Sequence, residues 1–150
     1  MPTYWDKGPA PEVNLRIPLG KANVVRSGSD VTVVSYGRPV AQVLALAERL
    51  SGEGINLEII DLRTISPIDK TTVLESVAKT GRAVVVHEAV EQFGVGATVS
   101  ALIAEDLHGT LRAPVARVGS RNCPVPFSKP LEEAFMYNED RIEAAIRKVL

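Results

Sequence analysis

The chain has 150 residues, of which 45% are hydrophobic and 23% charged, a balance typical of one ordinary globular domain. Seventeen Lys and Arg stand against eighteen Asp and Glu, a formal charge of −1, so no basic surplus points to nucleic acid and no acidic tail to a cationic partner. One cysteine cannot form an internal disulfide, two histidines make a structural zinc site improbable, and no apolar run approaches the roughly 20 residues that cross a bilayer.

The first residues, Met1-Pro2-Thr3-Tyr4-Trp5-Asp6, read as neither an apolar leader nor an Arg-rich presequence. The expected location is therefore a reducing one, the bacterial cytoplasm or, second, the mitochondrial matrix. Four prolines before residue 20 and no apolar period read as an extended arm, residues 1–16, ahead of one domain, 17–150. Tyr4 and Trp5 on that arm need a surface to lie on, either this domain's own or a partner's.

From Ala22 onward, short β-branched runs alternate with helical patterns. A short strand over Ala22–Arg26 ends at the turn cluster Ser27-Gly28-Ser29-Asp30. Val31–Tyr36 is apolar on both faces, as in a covered parallel strand. Pro39 suits a first helical turn, Val40, Val43, Leu44, Ala47 and Leu50 share a face, and Gly52 or Gly54 closes that helix.

Leu57–Leu62 is the next strand. Ser66-Pro67-Ile68-Asp69 predicts an N-cap, a proline at the first helical position and an acid in the first turn. The helix it opens turns Val73, Leu74, Val77 and Ala78 inward and stops at Gly81. Ala83–Val86 is a strand, and Gly94-Val95-Gly96 opens a helix buried through Val99, Leu102, Ile103 and Leu107. Val115–Val118 is the last strand. Asn138 caps a final helix with Ile142, Ala145, Ile146 and Val149 on one face.

This alternation predicts an α/β fold with four parallel strands, helices on both faces and Ala22–Arg26 added at an edge. Ligands and partners of such sheets meet the carboxyl ends of the strands. Four connections leave those ends: Gly37-Arg38, Arg63-Thr64, His87-Glu88 and Ser120-Arg121-Asn122-Cys123. Arg38, Arg63, His87, Glu88 and Arg121 are thus the candidate rim, either an anion site of guanidinium forks or residues paired with neighbouring acids and facing a partner.

His87-Glu88 could exchange protons, but nothing in the sequence supplies a nucleophile or metal to complete a site. Gly94-Val95-Gly96 lacks the third glycine of a dinucleotide fingerprint and lies too far from its strand, so close helix packing explains it better. Cys123 has no histidine near it in sequence and reads as a loop cysteine. No phosphate-binding loop or nucleophile elbow occurs.

Several strings carry more. Ile17-Pro18-Leu19-Gly20-Lys21-Ala22, Gly28–Arg38, Ile60-Asp61-Leu62-Arg63-Thr64-Ile65-Ser66-Pro67, Val84–Ala89 and Pro124-Val125-Pro126-Phe127 with Pro130-Leu131-Glu132 run in one order across Ile17–Leu150. Together they resemble the C-terminal, transketolase C-terminal-type domain of the E1 β subunit of 2-oxo acid dehydrogenase complexes, of the pyruvate or branched-chain type. The resemblance implies a three-layer α/β/α sandwich whose five-stranded, mostly parallel sheet has one antiparallel edge strand.

It further implies a part in thiamine-diphosphate-dependent oxidative decarboxylation of a 2-oxo acid, with acyl transfer to lipoyl-E2. The cofactor and Mg²⁺ would be held by other segments of the E1 heterotetramer, so this domain is expected to bind none and to be inactive alone. Its implied partners are the E1 α subunit, a second β subunit and the subunit-binding domain of E2. E2 docking would use the final helix, the carboxylate of Leu150 and an acid before the Pro-x-Pro loop. Asn122 stands at that acidic position, which removes a charge-assisted contact of about 1.5–3 kcal/mol. The alternative is a free-standing module binding a small anion or nucleotide at the arginine rim. The Pro124–Pro126 and Pro130–Glu132 strings lean towards the pyruvate type.

Overall fold

The computed structural model describes residues 12–150. Most of the expected arm, with Tyr4 and Trp5, lies outside the described residues. Two edges of a five-stranded sheet are set by β1 (Asn23–Arg26) and β5 (Ala116–Ser120), with order β1-β3-β2-β4-β5. Between them run β2 (Val31–Ser35), β3 (Leu57–Asp61) and β4 (Ala83–Val90). The pairs β2–β3, β2–β4 and β4–β5 are parallel, and β1 runs antiparallel to β3 with Asn23 opposite Asp61. The fold class is the one the sequence implies.

Every residue of β2 is buried, because both faces of the sheet are covered. On one face α1 (Arg38–Ser51) and α5 (Glu139–Val149) close over Val33, Ile59 and Val86 with Val43, Leu46, Leu50, Ile142 and Ile146. On the other, α2 (Lys70–Thr80) and α3 (Val95–Leu107) cover Val34, Ile60 and Val85 with Val73, Val77, Val99 and Ile103. A short α4 (Lys129–Phe135) follows β5, where the sequence reading places no element.

Three details depart from the sequence expectation. Asp69, not Ser66, caps α2 by accepting the Thr72 N–H, and Pro67 precedes the helix instead of opening it. Ala78 faces solvent, while Ser76 and Thr80 turn inward. Those two hydroxyls meet Thr32 at 2.9 Å each, and Ser76 donates to the buried Glu58 carboxylate, so a polar network occupies a position where a purely apolar stripe is expected. Gly81 does end α2, at φ 69°, a left-handed conformation that costs other residues a steric penalty.

The third departure concerns the end of β4. Val90 pairs with Ser120 after a register irregularity, which carries the strand four residues past Val86. His87 and Glu88 therefore lie within the strand. Consecutive strand residues point to opposite faces, so the two cannot share a surface.

Candidate functional site

The order of the sheet places β2 beside β4, the point where the connections diverge to left and right, and the crevice outside their carboxyl ends is the natural site of such a fold. Arg38 opens α1 there and faces Glu88 across 3.8 Å. Behind them Tyr137, nearly buried, donates its hydroxyl to Gln42 Oε1 at 2.6 Å. Burial and the Glu88 charge push the Tyr137 phenol up to about 12, against the opposing pull of Arg38. Burial and Glu88 raise Tyr36 in the same way. The cluster is a neutral hydrogen-bonded pair beside an exposed ion pair, which fixes α1 against the segment leading to α5.

The expected arginine rim does not converge on one ligand. Arg38 is engaged by Glu88. Arg121 ties β5 to α4, its Nε donating to Ala134 O at 2.8 Å and its backbone N–H to Phe135 O. Arg63 is exposed at φ 56°, its backbone N–H closing on Asp61 Oδ1 at 3.0 Å.

His87 leaves the rim entirely. Its side chain is fully buried, and a Cβ on Gly94 would lie 2.7 Å from its Cε1, while one on Gly96 would overlap Nε2. The two glycines serve close packing, as their spacing suggests. Burial, followed by the positive charge of Arg117, lowers the imidazole from its ordinary value and keeps it neutral, against the weaker opposite influence of Glu91.

The two candidate E2-docking groups are also apart. Asn122 lies beyond the carboxyl end of β5 and donates its amide to Gln92 Oε1 at 2.7 Å. The Leu150 main-chain oxygen is held at 3.1 Å by Arg82, which immediately precedes β4. The eight residues of β4, about 26 Å of extended chain, separate these ends.

A different feature gathers around Asn122. The Gln92–Asn122 bond joins the β4–α3 turn to the loop after β5; these segments carry Phe93, Val125 and Phe127 outward, and α4 adds Leu131. Phe93 is 94% exposed and Phe127 completely so. Large exposed apolar groups on neighbouring loops mark a contact surface. The sequence signal was present in Pro124-Val125-Pro126-Phe127, since two prolines stiffen a loop that presents apolar side chains. A groove of about 710 Å³ opens elsewhere, along Ala97, Ala101 and Ala104 of α3 opposite Leu111, Arg112 and Arg117. Cys123 is exposed. Among the described residues, no three His, Cys, Asp or Glu side chains are grouped to ligate a metal, and no helix is long and apolar enough to cross a membrane.

Comparison with known proteins agrees with this geometry. Residues 20–142 match the family described as transketolase, C-terminal domain. Over 147 residues the chain is 45% identical to the acetoin:2,6-dichlorophenolindophenol oxidoreductase subunit beta of Cupriavidus necator, covering 98% of this chain and 44% of that protein. It is 47% identical over 135 residues to the pyruvate dehydrogenase E1 component subunit beta of Staphylococcus epidermidis, covering 90% and 42% respectively. The 2-oxoisovalerate dehydrogenase subunit beta of Bacillus subtilis is 38% identical over 144 residues, 95% of this chain and 44% of that protein. A split-gene transketolase solved as an inactive β4 tetramer superposes with a TM-score of 0.74 at 30% identity, covering 91% of this chain and 43% of that one. The chain thus spans less than half the length of these relatives.

Proposed function

Since the chain belongs to the transketolase C-terminal domain family, we propose that it is the assembly domain of the β subunit of a thiamine-diphosphate-dependent 2-oxo acid dehydrogenase E1. Its task is to join subunits, while the reacting groups sit on other segments. The observation that carries this reading is the exposed apolar set Phe93, Val125, Phe127 and Leu131 at the carboxyl ends of β4 and β5. Burying a side chain of that size is worth about 1.5–3 kcal/mol, and here the gain is left for a partner surface.

Thiamine diphosphate brought by Mg²⁺ needs carboxylate and amide oxygens converging on the cation, and the strand ends described above do not offer them. The Arg38–Glu88 pair and the Tyr137–Gln42 bond spend their polar groups on each other. No chemical step is assigned to these residues. Relatives named for pyruvate, acetoin and 2-oxoisovalerate support a small 2-oxo compound as the substrate, and we favour pyruvate on the Pro124–Pro126 and Pro130–Glu132 strings.

The partners we infer are an α subunit and a second β subunit. The subunit-binding domain of E2 is the third, and to touch both Asn122 and Leu150 it would have to span a strand's length on one chain or draw them from two copies.

Sedimentation of the chain alone and mixed with an E1 α subunit tests the proposal. Concentration-dependent association is expected, weakened at least tenfold by Phe127→Ser with no loss of thermal stability. A chain that stays monomeric at high concentration and ignores the α subunit would refute it. So would 2-oxo acid decarboxylation by the purified chain given only thiamine diphosphate and Mg²⁺.

A further inference from the structure

One buried ionisable group has no place in the assembly reading. His87 has no exposed surface, and neither Nδ1 nor Nε2 has a hydrogen-bond partner among the described residues. A histidine selected only for volume is an odd choice here, since a buried unpaired polar group costs about 1–3 kcal/mol and an apolar ring would not incur it.

Its surroundings oppose a positive charge from several sides. The ring lies against Gly94 and Gly96 at the N-terminus of α3, the positive end of a thirteen-residue helix with no side-chain cap and no acid in its first turn. From β5 the Arg117 cation acts on it, and Arg117 Nη1 is fixed to Glu91 O at 3.1 Å. The acid that opposes this, Glu91 in the β4–α3 turn, is already paired with Arg141 of α5 at 3.0 Å. From β2, Ser35 contributes an uncharged hydroxyl that donates to Val86 O. The Tyr36 phenol beyond β2 is held protonated by burial and Glu88.

The same ring packs against a turn. It fills the space under the turn that runs from Glu91 through Gln92 and Phe93 to Gly94, and Phe93 has φ 58°. That turn makes the Gln92–Asn122 bond to the loop after β5. An imidazolium there finds no acceptor among the described residues, and the contacts it would have to break to reach water include those with Gly94 and Gly96 at the end of this turn.

We propose that the β4–α3 turn is an acid-released latch with His87 as its trigger, closed while the imidazole is neutral and opened by its protonation. Closure holds Phe93 and the Val125–Phe127 loop in fixed relation. Opening exchanges that ordered surface for a loose one.

The test follows the His87 ring and the backbone amides of 91–96 by NMR from pH 7.5 to 5, with exchange expressed as protection factors. In the wild-type chain, protection over 91–96 should fall by up to tenfold per pH unit, the limit for one coupled proton, in step with the His87 ring signal. The Asn122 side-chain amide should move to solvent-exposed values over the same range, before near-ultraviolet circular dichroism is lost. His87→Asn should abolish this local loosening. Titration of the ring without loss of protection overturns the latch, as does equal loosening in His87→Asn. If that variant fails to fold, the wild-type comparison decides alone: protection lost only together with global unfolding also overturns it.

Discussion

The carboxylate of Asp69 accepts the backbone N–H of Ala22 at 3.0 Å, from a residue 47 positions earlier in the chain. The same side chain caps α2 through Thr72 and takes the Thr72 hydroxyl at 2.8 Å. Burial alone would raise this carboxyl, but the bonds from Ala22 and Thr72 together hold it below its ordinary value. One residue thus fixes both the entry of the chain at β1 and the start of α2. Asp69→Ala should cost about 2 kcal/mol in urea unfolding, a cap plus an orphaned N–H, and Asp69→Asn less, because asparagine caps nearly as well. A loss below about 0.5 kcal/mol for Asp69→Ala would show that the contact is incidental.

The packing of His87 on Gly96 makes a second prediction. A methyl at Gly96 overlaps the imidazole Nε2, and neither the strand nor the helix can yield freely. Gly96→Ala should therefore destabilise by about 1–3 kcal/mol, the usual cost of overpacking. In His87→Ala the space beneath is vacant, so the same change should cost much less. Non-additivity of at least 1 kcal/mol in this double-mutant cycle is the expected signature, and simple additivity would place the strain elsewhere.

How much of this was legible follows from which forces act locally. Val31–Ser35, Leu57–Asp61 and the 3.6 period of α1 and α5 are hydrophobic patterns, and they yield the layers and nearly the right bounds. Ser66-Pro67 looked like a helix start by local chemistry, yet Asp69 takes the cap because it also meets Ala22, a contact invisible in a linear reading. The inward turn of Ser76 and Thr80 depends on Thr32 across the interface in the same way. His87 was misplaced on the rim because β4 extends to Val90 only through pairing with Ser120. Pairing of a rim arginine with a neighbouring acid was legible and holds for Arg38 with Glu88, whereas Ala134 O as the partner of Arg121 was not, because it comes from α4, which the sequence reading does not place.

The outer layer of α1 and α5 carries a charge network in place of apolar contact. Arg49 meets Glu139 at 3.0 Å and Glu143 at 2.6 Å, and Arg147 meets Glu53 at 2.5 Å and Glu143 at 2.7 Å. All of these groups but the half-buried Glu143 are exposed, so screening weakens the network. Thermal stability should fall as NaCl rises from 20 to about 300 mM, and Glu143→Gln should remove most of that salt dependence, since Glu143 joins both arginines. Unchanged salt dependence in Glu143→Gln would mean the network contributes nothing measurable.

Acid stability should fall in two stages with separable causes. His87 has a folded-state value below its ordinary 6.5, so the unfolded chain takes up its proton first and stability drops as pH falls from about 6.5. Glu58 is different in sign of charge but not in direction. Burial pushes it up, yet hydrogen bonds from Lys79, Ser76 and the Gly28 N–H lower it overall from 4.5. A carboxylate depressed in the folded state contributes stability above its unfolded value, and that contribution is lost as pH falls from about 4.5 towards the folded value. Urea midpoints measured from pH 8 to 3 should therefore decline below about 6.5 and steepen below about 4.5. His87→Asn should flatten the first stage and leave the second, and Glu58→Gln the reverse. Glutamine keeps one acceptor oxygen, so it serves either Ser76 or the Gly28 N–H but not both, and its cost at pH 7 should be about 1–3 kcal/mol, separate from the change in slope. A Glu58→Gln profile that steepens below pH 4.5 just as the wild type does would assign the lower stage to other carboxylates.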